Sequence, residues 1–373
     1  MPDPKTSRRT FLRGAAGLSG ATLIPAIGWA AAGAPHYLNA AGFPDGSYWL
    51  LGLTEDGTET FRLPLPDRGH AAAAHPIRPE AVAFARRPGT FAVVIDCAEG
   101  REIAQLHSPE DRHFYGHGAF TPDGTLLFTT ENAIAQGTGR LGVWDASDGY
   151  KRIGEVETGG AGPHEVRLMP DGRRLAVANG GIETDPTSGR ADLNIATMVS
   201  SLAYVDAETG AVLDVLGLAP EYRLLSIRHL AAGRDGTLAA ALQWQGSELE
   251  APPLLAVHRS GHDRLDLLAA EPAIQRHTRN YAGSVAVTDD GRLAAYTAPR
   301  GNMMLIFDLA GPAPVAVVEA TDICGLAAAG TGFACSTGEG RFLRRGGAPA
   351  PDLRFDRVAF DNHLVRIAAA STG

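Results

Sequence analysis

HGAFTPDGTLLFTTE, residues 117–131, reads as one β-hairpin: an apolar run, a Pro122-Asp123-Gly124 turn, and a second apolar run leading away. Proline presets φ and glycine accepts a left-handed position, while Phe120 and Leu126–Phe128 are strand formers. The same plan returns at His164 (HEVRLMPDGRRLAVAN), His229 (HLAAGRDGTLAAALQ) and Ser284 (SVAVTDDGRLAAYTA). Looser copies start near Arg78 (RPEAVAFARRPGTFAVVID), at Cys324 (CGLAAAGTGFACSTG) and at His363 (HLVRI). These starts lie about 40 to 65 residues apart, the spacing of four-stranded propeller blades. The sequence therefore predicts an all-β chain, a seven-bladed β-propeller over residues 36–373. Gly89, Gly124, Gly172, Gly236 and Gly291 are expected in the turns after the inner strands, and Trp144-Asp145 and Phe307-Asp308 at the ends of third strands.

The last copy has a start but no partner strands, whereas YWLLGLTEDGTETFRLPL, residues 48–65, is a hairpin without a start. The two fit together if N-terminal strands complete the seventh blade, which closes the ring and removes its open edges.

Composition suits such an array. There are 45 glycines and 24 prolines for its turns, and 45% hydrophobic against 20% charged residues argues for a packed core. A net charge of -9 speaks against nonspecific binding to nucleic acid or anionic lipid. Cys97, Cys324 and Cys335 show no CxxC spacing and are odd in number, so neither a disulfide framework nor a structural zinc site is expected. Cys97 and Cys335 alternate with apolar neighbours and read as buried small hydrophobes.

Residues 1–32 read as an export address. Ser7-Arg8-Arg9-Thr10-Phe11-Leu12 carries twin arginines, Gly14–Ile27 is a mild apolar segment, and Ala30-Ala31-Ala32 offers a small-residue cleavage site. The expected location is the periplasm, reached in the folded state, and no later apolar run is long enough for stable membrane insertion. Residues 182–201 (IETDPTSGRADLNIATMVSS) interrupt the strand pattern and are expected to project as a loop or lid. Gln243–Gly246 and Pro252-Pro253 lengthen the next repeat on what should be the functional face.

Equivalent positions of successive blades converge at the channel mouth. Read this way, the ring holds Arg78/Glu80, His117, His164, His229, Ser284, Cys324 and His363. Four imidazoles and a thiol about one axis form a candidate metal site, since neutral imidazole suits iron, copper and zinc and a thiolate favours softer ions. His113 and Glu165 could add a ligand or an acceptor that fixes a histidine tautomer. Arg300 is a candidate mouth cation for an anionic ligand, whereas His70, His75, His107 and His258 read as loop or surface residues. The alternative reading of the ring is a polar channel filled by water-bridged side chains. Walker, nucleophile-elbow, HExxH and CxxCH motifs are all missing from the sequence.

The segments GHGAFTPDG, GPHEVRLMPDGRRLAVANGGI, SGRADLNIATM, SIRHLA, ALQWQG, NYAGSVAV, PRGN, CGLA and DNHLV, together with the export signal, resemble the bacterial family called domain of unknown function 1513. The resemblance covers essentially the mature chain. It implies an exported propeller similar to quinoprotein-dehydrogenase and YVTN-repeat propellers, in an iron-linked setting beside imelysin-type and dihaem oxidoreductase-like proteins. It also picks out Glu165, Asn179, Arg190, Asn194, Arg228, Tyr281 and Cys324 beside the motif histidines His117, His164, His229 and His363. The expectation is a periplasmic metal-handling protein holding iron or copper and working with iron-uptake or redox partners. The alternatives are a channel-mouth enzyme, lactonase-like or oxidoreductase-like, and a non-catalytic interaction scaffold.

Overall fold

The computed structural model of the protein describes residues 28–85, 89–188, 192–347 and 350–367. Seven four-stranded antiparallel sheets follow one another around a central axis. Their inner strands are Gly69–Ala74, Arg112–Phe120, Pro163–Leu168, Leu225–Ala232, Ser284–Val287, Ile323–Ala329 and Ala359–Arg366, each packed against the next, with the seventh against the first. They define blades 1 to 7.

The chain ends close the ring. Ala359–Arg366 pairs antiparallel with Tyr37–Gly42, from which Tyr48–Leu53 and Glu59–Leu65 extend the same sheet outward. The hairpin at 48–65 thus belongs to the C-terminal strand's blade, as its missing start implied. Trp29–Ala32 forms a 3-10 turn beside the ring, and the Trp29 indole donates to the His75 carbonyl at 2.9 Å.

The cohesion lies between blades. Second strands are buried on both faces because each sheet is covered on both sides, whereas outer strands such as Val212–Gly217 are largely exposed. Phe84, Phe114, Leu127 and Trp144 fill the wedge between blades 1 and 2, and burying each such side chain contributes about 1.5–3 kcal/mol. The turn reading also holds: Gly124, Gly172, Gly236 and Gly291 take φ of 71°, 69°, 84° and 72° right after inner strands. Asp145 and Asp308 close third strands as expected.

One blade begins a strand earlier than the sequence suggests. The inner strand of blade 1 is Gly69–Ala74, and Glu80–Ala85 is its second strand, so Arg78 lies in the turn between them. Gly89 accordingly falls between second and third strands. Among the described residues no helix is long and apolar enough to cross a membrane.

Candidate metal centre

Inner strands of a propeller run parallel, so a recurring irregularity in them falls at one level. Among the described residues, six of the seven slip register there: between Gly69 and Ala72, Phe114 and Gly118, Pro163 and Glu165, Ile227 and His229, Ile323 and Leu326, and Phe360 and Leu364. A β-bulge adds unpaired residues to one strand and re-aims their side chains. Here the slips fall at or beside His70, His117, His164, His229 and His363.

Five imidazoles meet as a result. His70, His117 and His164 present ligand atoms all within 4.8 Å of one another, as do His117, His229 and His363. Ring centroids lie 4.5 Å apart for His229 and His363, 4.7 Å for His164 and His229, and 4.8 Å for His117 and His363. His117, His164, His229 and His363 are all buried. Nε2 of His117, Nδ1 of His164 and Nε2 of His363 have no hydrogen-bond partner among the described residues. Leaving a buried polar atom unsatisfied costs about 1–3 kcal/mol, so three in one spot call for a bound ligand or ordered water. Burial first, then repulsion from the neighbouring imidazoles, holds His117, His164 and His363 well below the usual histidine pKa. At neutral pH these rings keep lone pairs free for a metal.

Glu165 organises one side. Its Oε2 accepts from Nδ1 of His229 at 3.1 Å and from the Leu230 amide at 3.3 Å, and lies 3.8 Å from Nδ1 of His117. Its Oε1 pairs with Nε of Arg167 at 3.0 Å. An acceptor on Nδ1 leaves Nε2 of His229 as the lone-pair nitrogen, the usual outer support of a metal-ligating histidine. The sequence expectation for Glu165 as a tautomer-fixing acceptor matches this placement.

Above the ring, a cavity of about 340 Å³ opens at the mouth and shares His70, His164 and His229 with the cluster. Arg228, Arg300 and Tyr281, all singled out in the sequence, line it with Asp192 of the 182–201 insert. The Arg300 guanidinium stacks 4.3 Å over the Tyr281 ring. His113 anchors the insert through Nε2, which is 3.1 Å from the Thr184 carbonyl, and is no member of the ring.

Other candidates take structural places. Arg78 pairs with Glu80 at 2.7 Å and donates to the Ala146 carbonyl, away from the axis. Cys324 is not brought to the imidazoles: its thiol faces the carbonyls of Ser336, Phe360 and Asp361 at 3.5 to 3.6 Å, and burial pushes its pKa up. Asn179 donates to the Thr158 carbonyl, and Asn194 braces the insert by bonding Gly181 and Glu183. Arg190 lies outside the described residues. Ser284 lines the channel below the imidazoles.

The histidine set itself needs correction. His70, read as a loop residue, is a ring member because blade 1 starts one strand early. His75 and His258 are buried rather than surface residues; His258 bonds Tyr204 Oη at 2.7 Å. His107 is exposed, and Cys97 and Cys335 are buried as expected. The signal that finds His70 is its interval to His117, which equals that from His117 to His164.

A closed seven-bladed propeller whose inner strands gather histidines at one mouth is the class that fold and site define. A family model described as a protein of unknown function, DUF1513, matches residues 63–367, and the chain belongs to that family. Among solved structures, the hydrazine synthase of Kuenenia stuttgartiensis is similar, with a TM-score of 0.60 and 14% identity over 91% of this chain and 100% of that one. At that identity the likeness shows the fold alone. No curated protein sequence matches the chain significantly.

Proposed function

We propose that the protein is an exported, periplasmic metal-binding propeller that holds a transition-metal ion in its histidine ring. The observation that carries the reading is the convergence of five imidazoles, three with buried nitrogens that no group among the described residues satisfies. Nitrogen donors without a nearby thiolate suit Fe(II), Cu(II) and Zn(II) rather than the softest ions. The iron-linked setting implied by the family resemblance makes iron the favoured cargo, copper the next, and exported iron-uptake or redox proteins the expected partners. The twin-arginine stretch at Arg8-Arg9 supports export in the folded state.

Elemental analysis of protein purified from the periplasm of its source, beside the double variant His117→Ala/His164→Ala, tests this. The wild type should carry near-stoichiometric metal and the double variant almost none. Full occupancy in a correctly folded double variant would move the assignment to the second reading that the mouth cavity favours, small-molecule chemistry without a ring-held metal.

A further inference from the structure

The mouth cavity has a chemistry of its own. Among the described residues its lining contains no aliphatic side chain: it is made of imidazoles, amides, two guanidiniums, one carboxylate and the rings of Trp244 and Tyr281. Such walls favour a small, oxygen-rich ligand, and about 340 Å³ is at the low end of ligand-site volumes. Among the described lining residues, two guanidiniums, Arg228 and Arg300, outnumber one carboxylate, Asp192. Arg228 is buried, so its charge is only weakly screened, while Arg300 is held at the rim by the Tyr281 ring.

The floor of this cavity is the ring itself, through His70, His164 and His229. Five imidazoles are neutral donors, and Glu165, the carboxylate beside them, is shared among His229, Leu230 and Arg167. A dication held by neutral donors keeps its full positive charge in a buried place, which anionic oxygen ligands offset best. Cation below and guanidiniums above would bracket one anion. The planar fork of arginine also matches a carboxylate through paired hydrogen bonds.

We infer that the mouth cavity is a binding site for a small dicarboxylate, whose inner oxygens meet the ring-held metal and whose outer oxygens face Arg228 and Arg300. This rests on the metal-binding reading above. Asp192 would border the ligand and disfavour further negative charge on that side.

Oxalate serves as the probe, with Co(II) as a spectroscopically visible metal. Oxalate is titrated into Co(II)-loaded protein and followed by calorimetry and by the visible cobalt bands, for wild type, Arg300→Gln and Arg228→Gln. The expected result is a shift of the bands on oxalate binding and an affinity weakened about tenfold or more in either variant, the loss expected for one charge-assisted pair. Arg300 is exposed, so its variant keeps the test open if the buried Arg228→Gln fails to fold. Calorimetry without band shifts, oxalate affinity unchanged in Arg300→Gln, or no binding at millimolar oxalate overturns the inference while leaving the metal site standing. If Co(II) itself does not bind, the metal reading fails, and oxalate titrated into metal-free protein judges the cavity separately. Arginine-dependent binding there upholds a dicarboxylate site, and no binding removes it.

Discussion

Glu165→Gln isolates the role of the carboxylate beside the ring at nearly constant shape. The change removes the negative charge that accepts from Nδ1 of His229 at 3.1 Å and lies 3.8 Å from Nδ1 of His117, yet leaves a carbonyl oxygen that can still accept from the Leu230 amide. The fold should tolerate it. Arg167 loses its ion pair but keeps the Leu230 carbonyl at 3.0 Å, its side chain is 43% exposed and can be solvated, and such half-open pairs contribute only about 0–1 kcal/mol. Metal affinity should not escape so lightly, because the carboxylate both fixes the His229 tautomer and strengthens its donor nitrogen. Loss of an outer acceptor of this kind typically weakens binding about 10–100-fold, or about 1.4–2.7 kcal/mol. The assay is competition for Co(II) against a chromophoric chelator at pH 7, with urea unfolding of both metal-free proteins as control. Equal affinity in Glu165→Gln and wild type, with matching unfolding curves, would refute the claim that Glu165 orients the ring.

Two further outcomes concern pH. His75 is held down to about 4 by burial and then by Arg78, and its Nδ1 accepts from the amides of Ile77 and Arg78, bonds that protonation would destroy. The unfolded chain protonates His75 near 6.5 and the folded one only near 4, so its contribution is present above 6.5 and is lost as pH falls from 6.5 to 4. One such shift amounts to about 3 kcal/mol. Urea unfolding at pH 7, 5.5 and 4 should therefore show less acid sensitivity in His75→Asn, whose Oδ1 keeps an acceptor in place; identical pH profiles would refute this. For the ring, His117, His164 and His363 stay neutral well below 6.5, so Co(II) affinity should be nearly level from pH 7 to 6. It should then fall steeply in more acidic buffer, with more than one proton displaced per metal; a shallow one-proton decline beginning at pH 7 would contradict the shared, desolvated ring.

The blade count and its closure were legible because both rest on local chemistry. A Pro-Asp-Gly or Asp-Gly turn requires a left-handed glycine, and the flanking apolar runs have nowhere to go but into neighbouring sheets, so Gly124, Gly172 and Gly291 mark inner hairpins directly. Blade 1 misled for the same reason. Its inner hairpin turns through Pro76–Pro79 without a glycine, while Gly89, whose Pro-Gly pair looks in the sequence like the repeat's turn, lies between the second strand and the third. The eye lands one strand late, and Arg78 takes the place that belongs to His70.

The site was legible only in part, because aim depends on register and register on bulges. Cys324 and His363 occupy corresponding stretches of adjacent inner strands, and both strands slip there. Yet His363 turns to the axis, while Cys324 turns toward the carbonyls of Ser336 and of Phe360 and Asp361 in the next blade. A one-residue difference in where the extra residues fall decides between ligand and packing, and nothing in periodicity reports it. The difference has a chemical consequence for the metal. With the thiol spent on backbone carbonyls and its pKa raised by burial, a metal held by the ring would meet imidazole nitrogens alone, with Glu165 as the carboxylate beside them. In the described residues the way in is the mouth that Arg228 and Arg300 share with His70, His164 and His229.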